Sequence, residues 1–85
     1  MFVREMSWED PRHINSIVVN YKRNNSVEGL DGTKVYVGET EVGQVEAQDG
    51  KMFYVFGGLE GNHSQVRIEG SESVMNIASV EIYGE

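Results

Sequence analysis

Apolar and polar positions alternate along most of the chain from Ile14 onward. In "INSIVVNY", Ile14 and Val18 fall on one face of an extended segment and Ile17 and Val19 on the other. Apolar side chains on both faces predict an interior strand. "SQVRIEG" alternates cleanly, with Val66 and Ile68 set against Gln65, Arg67 and Glu69. "SVMNIASVEIYGE" puts Ala78, Val80 and Ile82 on one face and Ile77, Ser79, Glu81 and Tyr83 on the other. A strand so well patterned is expected inside a sheet.

Turn chemistry separates these runs. Asp31-Gly32 precedes Lys34 to Val37, and "DGKMFYVFGG" reads as a turn followed by a strand with Met52, Tyr54 and Phe56 opposite Phe53 and Val55. The pattern predicts strands near residues 14–20, 34–38, 52–57, 65–69 and 77–83, a weak one in "GQVEA" and a further one at residues 2–6. Little or no helix is expected. The predicted core is Val18, Val35, Val37, Phe53, Val66, Ile68, Val80 and Ile82. The pattern therefore points to an all-β sandwich or barrel, a single domain over residues 1–85.

Composition narrows the function classes. Seven basic against 14 acidic residues leave a net charge of −7, which argues against nucleic acid, since a phosphate-binding surface needs clustered Lys and Arg. No run approaches the ~20 apolar residues of a membrane-spanning helix. With no cysteine, neither a disulfide framework nor a thiolate metal site is available. Arg4, Glu5, Glu9 and Asp10 interrupt the N-terminal stretch where a secretory leader needs an apolar core. No serine has a His and an acid at motif spacing and there is no phosphate loop, so neither a catalytic residue nor a cofactor is expected.

The order of "LDGTKVYVG", "GQVEAQDGKMFYVFGGLEGN", "QVRIEG" and "ASVEIYG" resembles the C-terminal half of the F-type lectins, or fucolectins, within the discoidin and coagulation-factor C-domain superfamily. The resemblance covers roughly residues 14–85. It implies a small jelly-roll-like β-sandwich, reduced relative to the family, and a non-enzymatic module that binds fucose-type glycans through loops at one end. On this alignment the family's sugar-holding cationic loop falls on "YKRNN", which makes Lys22, Arg23 and Asn24 the ligand-binding candidates; Lys22 stands at the family's Arg position, and Asn24 at its Asp position. That loop motif is degraded. The alternative is therefore a structural or adaptor module, an oligomer or part of a complex, that binds protein and has lost sugar binding.

Other marks of the family are changed as well. The resemblance implies a structural calcium held by a carboxylate at the position of Ser79, and a disulfide joining the positions of Val42 and Ala78; neither can form with the residues present. No metal site is expected, the acidic pairs Glu39–Glu41 and Glu69–Glu72 reading as solvated charge. His13 and His63 read as turn residues, and Trp8 and Tyr21 either as sugar-stacking rings or as core and rim. The family resemblance implies an extracellular setting, in keeping with the glycosylation triplets at Asn24 and Asn62. The absence of cysteine points to an intracellular one.

Overall fold

The computed structural model describes residues 1–22 and 27–84. Its strands are β1 (Phe2–His13), β2 (Ser16–Tyr21), β3 (Lys34–Val37), β4 (Thr40–Gln44), β5 (Phe53–Phe56), β6 (Asn62–Gly70) and β7 (Ile77–Tyr83). Helical structure among the described residues is confined to one turn, α1 (Val27–Leu30), and a 3-10 turn over Glu72–Asn76. The strands form two antiparallel sheets, one of four strands in the order β1-β6-β3-β4 and one of three in the order β5-β2-β7. Only β3 and β4 are consecutive neighbours within one sheet. Every other connection crosses between the two sheets of the small sandwich.

The inner faces follow from the alternation. Val35, Val37, Val66 and Ile68 of the four-stranded sheet meet Ile17, Val19, Tyr21, Tyr54 and Ile77 of the three-stranded sheet, all buried. Burying an aliphatic or aromatic side chain of this size stabilises by about 1.5–3 kcal/mol. Arg4 of β1 reaches across the sandwich, its guanidinium donating to the Ile77 carbonyl at 2.9 Å. The β3–β4 hairpin turns on Gly38, whose φ of 62° lies in the left-handed region that a side chain disfavours.

Three expectations about side-chain direction change. Phe53 is 55% exposed, and Tyr54 is buried in its place. The run Phe53–Phe56 is apolar on both faces, so alternation alone cannot choose its inner side. Two contacts decide it: the Tyr54 hydroxyl donates to the Lys51 carbonyl at 2.9 Å and accepts from the Gln48 amide at 3.2 Å, and the Phe56 ring occupies the space that a side chain on Gly43 would need. In β7 the register slips by one residue, Asn20 pairing with Ser79 but Tyr21 with Ile77. Ala78 is the extra residue of that bulge and is exposed, while Ile77 turns inward. Val18 is only half-buried, because it lies on the outer face of β2.

The closing strand is also not interior. β7 is an edge of the three-stranded sheet, paired with β2 alone, and Val80 and Ile82 pack half-buried against the core. The interior strand is β2, as its two apolar faces predict.

Candidate functional site

The longest strand is the one least visible in the pattern. β1 pairs with β6 from Phe2↔Gly70 to Ser7↔Gln65, breaks, and resumes at Arg12↔His63 and His13↔Asn62. In the break, Trp8, Glu9, Asp10 and Pro11 stand opposite Ser64 alone. Pro11 supplies the reason for a break there, since it has no N–H to give the ladder. The bulge lifts this stretch off β6, and the Trp8 indole N–H is tied back by donating to the His63 carbonyl at 3.0 Å.

Two residues later the chain turns a corner from one sheet to the other. The Ile14 amide donates to the Gly61 carbonyl at 3.2 Å, the Asn15 amide to the Tyr83 carbonyl at 2.7 Å, and the Leu59 amide to the Asn15 carbonyl at 3.0 Å. These bonds gather the β1–β2 corner, the segment before β6 and the end of β7. Gly84 sits so close to the His13 carbonyl and Ile14 Cα that no side chain fits at that position.

A pocket of about 360 Å³ opens at this corner, lined by Trp8, Arg12, His13, Ile14, Ile82 and Gly84. Its size is that of a small-ligand site. Trp8 and Ile82 are partly buried against the core, and Ile14 is fully buried beneath them. Arg12 is exposed at the rim. His13 Nδ1 is cut off from solvent and has no hydrogen-bond partner, an omission that costs about 1–3 kcal/mol in a folded protein. Chemically, the pocket offers an indole held in place, a guanidinium fork and an imidazole, with no carboxylate among the described residues that line it.

The sequence-derived candidates lie elsewhere. Lys22 follows the far end of β2, exposed, with its amide donating to the Asn76 carbonyl at 2.9 Å. The six residues of β2 separate it from the corner pocket, about 20 Å at 3.3 Å per residue. Arg23 and Asn24 lie outside the described residues. Of the two aromatic candidates, Tyr21 is core, packed edge to face on Tyr54 with ring centroids 6.1 Å apart. Burial pushes its phenol above the ordinary 10.0; the nearby Thr33 side chain partly offsets this and Tyr54 raises it further, while the Tyr21 hydroxyl itself has no hydrogen-bond partner among the described residues. Trp8 is the aromatic ring that reaches the pocket.

His13 closes β1 and lines the pocket, and so does Arg12, a residue that the sequence pattern does not mark. Only Pro11 hinted at the bulge. His63 lies in β6, its Nε2 2.9 Å from the Glu60 carbonyl. Among the described residues no three His, Asp or Glu side chains converge as metal ligands; Glu41 pairs with Lys34 at 3.8 Å and Glu69 with Arg67 at 2.6 Å. Val42 and Ala78, joined in the resemblance, stand on different sheets. No described helix is long and apolar enough to cross a membrane. Compared with known proteins, the chain matches no family model, no curated protein and no solved structure.

Proposed function

We propose that this protein is a non-enzymatic recognition module that binds a saccharide in the corner pocket. One observation carries the reading: the Trp8 indole, fixed by its bond to the His63 carbonyl, shares a pocket of about 360 Å³ with Arg12 and His13. A pyranose ring has an apolar C–H face and a rim of hydroxyls. An aromatic ring suits the first, and guanidinium or imidazole N–H donors suit the second. The resemblance to F-type lectins points to the same ligand class, although a sandwich fold by itself hosts many functions.

A glycan array tests this directly, comparing the wild-type chain with an Arg12→Ala/His13→Ala double variant and with Lys22→Ala. Binding is expected in the wild type and should be lost in the double variant. A signal that survives in the double variant but disappears with Lys22→Ala would move the site to the loop after β2. Absence of any glycan signal from folded wild-type protein contradicts the reading.

A second reading, a protein-binding module, has its own support in β5. This strand is a sheet edge, and Phe53 and Val55 are 55% and 59% exposed on its outer face. The Tyr21 amide bonds the Met52 carbonyl at 2.8 Å, so by alternation the N–H and C=O groups of Phe53 and Val55 face away from β2. An apolar edge with free backbone groups favours strand addition by another chain. Light scattering on the wild type and on Val55→Lys distinguishes the cases: an assembly dispersed by the lysine supports this reading, and a wild-type monomer counts against self-association.

A further inference from the structure

We propose that the saccharide taken by the corner pocket is an acidic one, a pyranose bearing a carboxylate, with Arg12 as the group that selects the acid. The inference rests on the saccharide reading of the pocket and narrows its ligand class.

It starts from the disposition of positive charge. Arg4 donates to the Ile77 carbonyl, Lys34 pairs with Glu41, Lys51 lies over the Tyr54 ring at 5.1 Å, and Arg67 contacts both Glu69 and the face of Tyr36. Lys22 also has a partner. Among the described residues Arg12 alone, of the lysines and arginines, has neither an ion pair nor a hydrogen bond nor a ring beneath it. That is notable in a chain with twice as many acidic as basic residues, 14 against seven. Glu9 and Asp10 precede it by only two or three residues, yet neither pairs with it and neither lines the pocket.

An unpaired guanidinium and an indole that line one pocket are a matched set for a sugar acid. The planar fork of N–H donors meets the two oxygens of a carboxylate, the charged acceptor that suits it best. A neutral hydroxymethyl group offers the same fork one oxygen and no charge. The indole meanwhile holds the ring on its C–H face, so the acid is recognised only as part of a sugar. No carboxylate among the described lining residues opposes an incoming anion.

The chain has a single tryptophan, Trp8, beside four tyrosines, so fluorescence excited at the red edge, where tyrosine does not absorb, reports on this pocket alone. The test titrates the folded protein at low salt with methyl β-D-glucuronide, with methyl β-D-glucoside, which differs from it only in a hydroxymethyl group for the carboxylate, and with acetate. A charge-assisted hydrogen bond corresponds to roughly ten-fold or more in affinity. The glucuronide is expected to perturb Trp8 at concentrations at least about ten-fold lower than the glucoside, with acetate weaker than either. In Arg12→Gln the two glycosides should become equivalent, while the dichroism spectrum stays that of the wild type, because Arg12 is exposed and holds nothing in place. Equal affinities in the wild type, or a preference that persists in Arg12→Gln, would overturn the acidic-sugar inference and leave the saccharide reading standing. Acetate binding as tight as the glucuronide would mark a plain anion site and overturn the inference. No response to either glycoside contradicts both.

Discussion

Residues that look alike in the sequence part company in the structure according to which face of a sheet they occupy. Ile68 is fully buried between the sheets, and Phe53, equally apolar, is more than half exposed. Truncating Ile68 to Ala should cost about 2–5 kcal/mol, whereas an exposed change such as Phe53→Ala should stay within roughly 0.5 kcal/mol. Urea unfolding of the two variants checks this, and similar losses would show that Phe53 is covered in solution. Tyr21 makes a second prediction. Its phenol is raised in the folded chain chiefly by burial, so the unfolded chain releases that proton first as pH climbs. The associated stability is intact below about pH 10 and drains away above it. The thermal midpoint should fall as pH passes about 10 and should fall less steeply in Tyr21→Phe. An identical alkaline decline in the two proteins would remove Tyr21 from the account.

At the scale of elements, alternation was enough to find β2, β3, β5, β6 and β7 to within a few residues, because each carries apolar side chains at the spacing a strand requires. Irregularities were not legible. The bulge at Ala78 inverts the expected face of Ile77, and the long bulge of Trp8 to Pro11 hides the second half of β1 behind a charged, proline-bearing stretch. The candidate site is built from that second bulge, where nothing in the pattern marks Arg12, whereas the family resemblance points to the basic loop after β2. Glycines at close approaches were equally silent. Gly84 has no room for a methyl group beside the His13 carbonyl, while Gly57, at the end of β5, meets nothing. Gly84→Ala should therefore destabilise by well over 1 kcal/mol and disturb Trp8 fluorescence, and Gly57→Ala should be neutral or stabilising by about 0.4–1 kcal/mol. Indistinguishable melting curves for the two would mean that the corner is looser than its hydrogen bonds imply.

For the whole molecule, the two packed sheets leave two surfaces with recognisable chemistry: the corner pocket, and the apolar edge of β5 on the three-stranded sheet. They predict different dependence on protein concentration. A saccharide site within one chain should have an affinity that does not change with concentration, and assembly through β5 should vary with it. The central claim, that the pocket formed by Trp8, Arg12 and His13 is where a sugar binds, is tested most directly by following backbone amide and Trp8 indole N–H resonances while methyl β-D-glucuronide and methyl β-D-glucoside are added in turn. The account predicts that at least one of them shifts the indole signal together with the amides of Arg12, His13, Ile82 and Gly84, and leaves Lys22 and β4 still. Shifts gathered around Lys22 with the indole unmoved, or no shifts with either sugar, would contradict it.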